Sequence, residues 1–351
     1  MNLPVWEDVF FMKIPTTYTV ESVTCGHPDK VCDQISDAIL DTCLLQDPFS
    51  RVALESFGSH GLLVLGGEVT TGADIDYEQV ARKVYRGIGY DDSSLEVLER
   101  VSAQSQEIAS GIQDEGAGDQ GIMYGYACNE TPEFLPLGVV LSHRFAKRLE
   151  ELRRSGEVSW LRPDGKTQVT VKDGKVTTVL VSTQHDEGVI QNQIKDMVRK
   201  YMLEPAGLGS DVKVLANPAG SWTVGGFDAD AGLTGRKIMV DNYGGLVPHG
   251  GGAFSGKDPS KVDRTGAYMA RHVAREIVKR GDADACFVSI AYAIGQAEPV
   301  MVHVQDAAGN NLSHLANAYD FRPRSIIDML GLRKPQFREL ASYGHFGREA
   351  F

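Results

Sequence analysis

The sequence predicts an α+β fold, with mixed sheets covered by helices. Two observations carry this. Apolar spacing switches repeatedly between a strand-like period near 2 and a helix-like period near 3.6. In addition, strand follows strand, around the turn Lys172-Asp173-Gly174-Lys175 and again at 285–294 and 299–305, where a doubly wound sheet would alternate strand with helix.

Residues 28–45 read as a helix. Val31, Ile35, Ile39 and Cys43 recur every four residues, Pro28 suits the first helical position and Asp29 the first turn. Residues 61–70 read as a strand entering a Gly66-Gly67 turn, and 77–88 and 139–155 as helices. The strands 168–171 and 176–182 flank the hairpin turn. A helix over 187–202 is followed by strand-like segments at 211–216 and 222–226, then a strand at 236–241. A glycine-rich loop, 243–256, opens a helix over 260–280 with Val262, Met269, Val273 and Ile277 on one face, and 323–331 is a short helix. A strand running into glycine plus an acid occurs three times, at Gly66-Gly67-Glu68, Gly225-Gly226-Phe227-Asp228 and Gly295-Gln296-Ala297-Glu298. It has no fixed period and is a weak sign of internal repetition. Glycine-rich stretches near 115 and 231 divide the chain into an N-terminal extension, 1–16, and segments 17–114, 115–230 and 231–351.

A length of 351 residues with 42% apolar and 23% charged residues is ordinary for a globular protein with a large core. A net charge of −12 argues against a general grip on nucleic acid or on an anionic membrane, since both require a cationic surface. The five cysteines are odd in number and lack CxxC spacing, which argues against a disulfide framework or a zinc ribbon and for a reducing cytoplasm. The acidic start, Glu7-Asp8, and the short apolar patch after it do not suit a secretory signal.

Four glycine-rich clusters carry candidate chemistry. Gly250 to Arg264 runs out of a loop into a helix. Its glycines admit backbone N–H groups close to an anion, the helix start adds partial positive charge, and Lys257, Lys261 and Arg264 add full charges. A flexible turn is the bland alternative. Gly251 to Lys257 matches the first seven positions of a Walker A loop, but Asp258 stands where a hydroxyl should bind magnesium. Gly165-Lys166-Thr167 has the tail of such a loop, with Trp160 where the first glycine belongs. Two half-matches argue for phosphate binding by another architecture. In Gly26-His27-Pro28-Asp29-Lys30, a proline-opened helix start offers free N–H groups, with His27 and Lys30 placed to meet phosphate oxygens and Asp29 to hold a divalent ion between carboxylate and phosphate. An ordinary helix start weighs equally there. Gly225 to Lys237 sets Arg236-Lys237 after a loop with two carboxylates, and Gly116 to Gly121 is as well explained by a tight turn. GxSxG, HExxH and Cys/His signatures are missing, so a reaction without a strong base fits best, and departure of a polyphosphate is one.

Together these clusters resemble the S-adenosylmethionine synthetase family, from about Tyr18 to the end of the chain. The likeness rests on Glu21-Ser22-Val23 with Gly26–Lys30, Gly66–Thr71, Gly116–Gly121, Leu161–Lys166, Gly232–Lys237, Gly250–Arg264 and Tyr343–Arg348, seven motifs in family order. It implies three similar α+β domains with pseudo-threefold symmetry and a homodimer or dimer of dimers with active sites between subunits. It also implies attack of methionine sulfur on C5′ of ATP, followed by hydrolysis of the triphosphate to diphosphate and phosphate. A thioether sulfur carries no proton, so the work is alignment and neutralisation of about four negative charges.

By the same resemblance, His27 stabilises the leaving oxygen, and Lys166, Arg236, Lys237 and Lys257 hold the phosphates. Asp164, Ser221, Trp222, Asp230 and Ala253 complete the ATP site, Trp222 standing where the family usually has Phe and Ser221 where Arg is common. Glu68, Gln104, Asp119, Asp230 and Lys261 surround methionine. Asp29 and Asp263 bind two Mg²⁺ and Glu55 binds K⁺. The loop from Gln104 to Gly116 is shorter than is usual. Two rival readings are a P-loop ATPase or kinase, which Asp258 contradicts, and a non-catalytic relative, which would be expected to lose the metal carboxylates or phosphate lysines present here.

Overall fold

A computed structural model describes residues 14–103 and 116–348. Three sheets organise the chain, and one order of elements recurs in it three times: strand, long helix, antiparallel hairpin, shorter helix. The first pass is β1 (Thr17–Val23), α1 (Pro28–Gln46), β2 (Arg51–Ser59), β3 (Leu62–Thr70) and α2 (Tyr77–Ile88), closed by β4 (Glu96–Ser102), parallel to β3. The second is β5 (Gly121–Cys128), α3 (Leu137–Ser155), β6 (Leu161–Lys172), β7 (Lys175–His185) and α4 (Gln191–Val198), closed by β8 (Lys213–Ala216), parallel to β7. The third is β9 (Gly232–Leu233), the one-turn α5 (Ile238–Asp241), α6 (Val262–Arg280), β10 (Ala285–Tyr292), β11 (Met301–Asp306) and α7 (Pro323–Met329), followed by α8 (Phe337–Leu340). The long helices α1, α3 and α6 are each 19 residues.

The strand that opens each pass leaves its own hairpin and joins the sheet of the next. β1 pairs antiparallel with β6, β5 with β10, and β9 with β2, closing a cycle. The sheet orders β1-β6-β7-β8, β11-β10-β5 and β4-β3-β2-β9 follow. This agrees with the expected α+β fold in three parts. The repetition lies in element order, whereas the three glycine-plus-acid stretches occupy unequal places: on β3, after β8, and in the β10–β11 turn.

Most predicted elements form, several a few residues longer than expected. Five details differ. Gly66-Gly67 makes no turn, because β3 runs through both glycines, paired with Glu55 and Leu54 on β2, as far as Thr70. Residues 222–226 form no strand, because Gly226 turns to φ +63° and begins a 3₁₀ turn, Gly226–Asp228. Residues 236–241 are not a strand: Ile238–Asp241 is a helical turn that buries Val240 and Asp241. The helix over 187–202 divides into α4 and a π-turn, Arg199–Leu203. Finally, the Val31–Cys43 stripe is not a single buried face, because every residue from Pro28 to Leu40 is buried. No helix among the described residues is long and apolar enough to cross a membrane.

One apolar core runs under α1 and α6 and the sheets of β2–β3 and β5–β10, and a second lies between α3, α4 and the β6–β7 hairpin.

Candidate active site

The expected site residues fall into two sets. The first lies where α1 begins. Segment 23–27 runs beside β6: Val23 pairs with Lys166, and Thr24 N donates to Gly165 O at 2.9 Å. Gly26 is required by this approach, since a Cβ there would fall 2.4 Å from the Pro163 carbonyl oxygen. His27 then caps α1, its Nδ1 accepting from Asp29 N at 3.2 Å. Burial, helped by Lys237, Lys166, Lys30 and Arg236, drives the imidazole pKa down to about 2. The ring is therefore neutral, and with Nδ1 accepting, its proton sits on Nε2 as a donor.

Asp29, buried, accepts from Leu233 N at 3.0 Å and pairs with Lys237 Nζ at 2.5 Å and Arg236 Nε at 3.5 Å. Asp164, also buried, accepts from Gly226 N at 2.9 Å through Oδ2, while Oδ1 has no partner. Burial pushes its pKa up to about 6, against the pull of Gly226 N–H, Lys166 and Gly165 N–H, and the charge on Asp230 pushes the same way as burial. Trp222 is half-buried, held by its main-chain N–H on His185 Nε2 at 3.2 Å and by its indole N–H on Val224 O at 2.6 Å. Ser221 beside it is exposed. The first set is thus His27, Asp29, Asp164, Lys166, Asp230, Arg236 and Lys237, with Trp222 and Ser221 at its edge.

The second set surrounds the loop before α6. Lys257 bridges to Ala53 on β2, and Ala53 pairs with Glu68 on β3. Lys257 Nζ meets Asp263 at 2.5 Å. Gly252 lies flat over that carboxylate, since a Cβ would fall 2.1 Å from Asp263 Oδ1. Asp258, which breaks the Walker pattern, is buried and anchors the loop: it accepts from Val52 N at 2.7 Å and Ser260 N at 2.9 Å and pairs with Lys261. A catalytic hydroxyl has no place there. Glu55 lies on the exposed face of β2, Asp119 is exposed two residues before β5, and Ala253 is half-buried near Gly235. Gln104 lies outside the described residues. Within one chain, no hydrogen bond or ion pair among the described residues joins the two sets.

One expectation fails. Lys30 cannot meet phosphate, because its side chain is wholly buried between Asp33 (2.9 Å) and Asp241. Burial works against its charge, and the two carboxylates outweigh that effect, holding its pKa above the usual lysine range.

The sequence reading missed a ladder of carboxylates along α1, at Asp29, Asp33, Asp37 and Asp41, the first three buried and the last half-buried. Asp33 accepts from Gly235 N at 2.8 Å. Asp37 accepts from Gly256 N at 2.8 Å and pairs with Arg264 at 2.6 Å. Asp41 accepts from Gln336, Phe337 and Arg338 N–H groups. Both cation-bearing loops hang from this helix. The signal was an aspartate every four residues, parallel to the apolar stripe, which reads as a solvated face unless the helix is enclosed. Among the described residues no three metal-ligating side chains cluster. Magnesium needs fewer, since it typically takes one or two carboxylates plus substrate phosphates, and Asp29 and Asp263 each already hold a cationic ammonium group.

Family models for the N-terminal, central and C-terminal domains of S-adenosylmethionine synthetase match residues 15–114, 114–222 and 224–351. An S-adenosylmethionine synthase of Brachyspira hyodysenteriae is 49% identical over 95% of this chain and 93% of its own length. Another, of Pseudothermotoga lettingae, is 46% identical over 94% and 93%. With a matching model over each third of the chain and such likeness along nearly all of it, the protein belongs to the S-adenosylmethionine synthetase family.

Proposed function

We infer that the protein joins ATP and L-methionine, with two magnesium ions and potassium, at a site completed by a second copy of the chain. The methionine sulfur lone pair attacks C5′ of ATP, the C5′–O bond breaks, and the triphosphate leaves with the electron pair. Water then divides it into diphosphate and phosphate. The observation that carries this reading is the neutral imidazole of His27 set among Lys166, Arg236 and Lys237 and beside Asp29. A neutral Nε2–H donor suits an oxygen gaining negative charge, and three cations suit the polyphosphate attached to it. Buried Asp164 and half-buried Trp222 fit the nucleoside end.

Lys257, Lys261, Glu68 and Asp119 belong to the methionine and outer-phosphate half, with Gln104 expected beside them. Asp29 and Asp263 would hold the magnesium ions, which when bound neutralise phosphate charge. Glu55 would hold potassium. A homodimer fits the absence, among the described residues of one chain, of any hydrogen bond or ion pair that joins the two sets. The five free, buried cysteines fit a reducing, cytoplasmic setting. Boundaries near residues 115 and 231 fit the start of the second and third passes of the fold.

Incubation with ATP, methionine, Mg²⁺ and K⁺, followed by mass spectrometry, should give the sulfonium product with phosphate and diphosphate. Release of ADP without a sulfonium would overturn the reading in favour of a P-loop-like ATPase.

A further inference from the structure

The lysine of Gly26–Lys30 was expected at the phosphates and is instead sealed inside. Lys30 Nζ meets Asp33 at 2.9 Å on one side and Asp241 on the other, and neither lysine nor Asp33 is exposed to solvent. These two carboxylates grip the two ends of one short segment. Asp33 accepts from Gly235 N at 2.8 Å, immediately before Arg236. Asp241 is the last residue of α5, and its N–H donates to Lys237 O at 2.9 Å. Upstream, Leu233 N is held by Asp29 at 3.0 Å. Thr234 is held by Ser36 Oγ at 2.8 Å and, through its N–H, by Ser56 O at 3.0 Å. Residues 233–235 are thus fastened one after another to α1 and β2, and Arg236 and Lys237 follow directly, with their side chains turned to Asp29 at the start of α1.

From this geometry we propose that Lys30, Asp33 and Asp241 form a buried clamp that aims Arg236 and Lys237, with Lys30 a positioning residue and not a phosphate ligand. The proposal rests on the assignment of Arg236 and Lys237 to the ATP phosphates. The physical reason is that burial pushes the carboxyls of Asp33 and Asp241 up, Asp241 to about 7, and the ammonium of Lys30 between them is what pulls both back toward the charged form. One ammonium therefore fixes the distance from Gly235 to Asp241, and the pair of cations between those points has little freedom left. Preorganised cations stabilise developing negative charge without paying for reorientation during the reaction. Wide, soft anchoring would lose that advantage while leaving the residues themselves in place.

Replacing Lys30 would strip the ammonium group shared by two buried acids and risks preventing folding. The test therefore uses Asp33→Asn, which keeps shape and can still accept from Gly235 N–H but turns an amide toward Lys30. Its control is Asp41→Asn, which weakens the same kind of carboxylate-to-backbone anchor on the same helix, at the far end where it holds residues 336–338. Both variants are assayed below their melting temperatures, with folded fraction measured by near-UV circular dichroism. The clamp predicts a rise in KM for ATP or a fall in kcat of ~10-fold or more for Asp33→Asn, with KM for methionine within about twofold. Asp41→Asn should keep both constants within about twofold whatever its melting temperature. If Asp33→Asn proves insoluble, Asp241→Asn, which loosens the other end, is read in its place. Equal kinetics in the Asp33 (or Asp241) and Asp41 variants, at matched folded fraction, would overturn the clamp. Lys237→Ala, run alongside, separates the two ideas. If it too leaves ATP kinetics unchanged, the phosphate assignment fails and takes the clamp with it. If it alone is impaired, the assignment stands and the clamp is wrong.

Discussion

Replacing Asp164 by asparagine should stabilise the protein at alkaline pH while damaging ATP use. The carboxyl is buried, its Oδ1 has no partner, and its pKa is lifted from the ordinary 3.8 to about 6. Folding therefore disfavours the ionised form. A carboxyl raised in the folded state contributes fully to stability below its unfolded pKa and loses that contribution as pH rises through the folded value. About two decades of proton affinity, at ~1.4 kcal/mol per decade, amount to about 3 kcal/mol lost above pH 7. By pH 5 the loss is roughly half of that, because the unfolded chain is already ionised while the folded one is not. Asparagine carries no charge and can still accept from Gly226 N–H, although its amide inherits the unpartnered position, which takes back some of the gain. For a chain of this length ~3 kcal/mol corresponds to about 4 °C in melting temperature. The assay is differential scanning fluorimetry of both proteins between pH 5 and pH 8, with KM for ATP measured in parallel. A gap between variant and parent that widens with pH, together with a raised KM, is expected. A gap that is constant or narrows with pH would refute the reasoning, since every other titrating group is common to both proteins.

Because burial and the surrounding cations hold His27 near pKa 2, the pH profile of kcat should show no limb from this residue between pH 5 and 9; a limb abolished by His27→Asn would contradict the neutral donor. Lys257→Ala should cost ~100-fold or more in product formation with a nearly unchanged melting temperature, because Asp263 is part-exposed and can be solvated; near-normal turnover would remove Lys257 from the site. Asp258→Ser completes a Walker A match, yet it should destabilise the loop by ~1–3 kcal/mol and lower activity, because Val52 N–H, Ser260 N–H and Lys261 lose their partner; gain of ATPase activity would revive the P-loop reading. EDTA should abolish turnover and excess Mg²⁺ restore it, whereas full activity in EDTA would contradict the roles given to Asp29 and Asp263.

Much of the fold was legible because local signals agreed with the tertiary outcome. Pro28 with Asp29 marked the start of α1, the Lys172–Lys175 turn marked the β6–β7 hairpin, and the glycines before Lys257 marked the loop into α6. The errors came where tertiary contacts overrode local pattern. Ile238-Met239-Val240 has strand-like residues but forms a helical turn, because Lys30 holds Asp241 and Lys237 O accepts from its N–H. The exchange of β1, β5 and β9 between sheets leaves no local trace, since pairing partners lie 143 (Val23 and Lys166) to 176 (Phe57 and Leu233) residues apart. The site was legible as residue types, less so as geometry. Lys30 and the α1 aspartates resemble surface charges until the helix is known to be enclosed. That charged side chains in one motif could divide between an outward site and an inward clamp follows only from the burial of α1.

The central claim, that each active site joins the Asp29–Lys166–Lys237 set of one copy to the Lys257–Asp263 set of another, can be tested by complementation. Lys237→Ala and Lys257→Ala, each inactive alone, are co-expressed so that subunits mix. Half of randomly mixed dimers carry both variants, and each of those holds one site with both sets intact, so activity should return to about a quarter of wild type. If the mixture stays as inactive as its parents while mass spectrometry shows mixed dimers present, the two sets do not meet across subunits and the account is wrong.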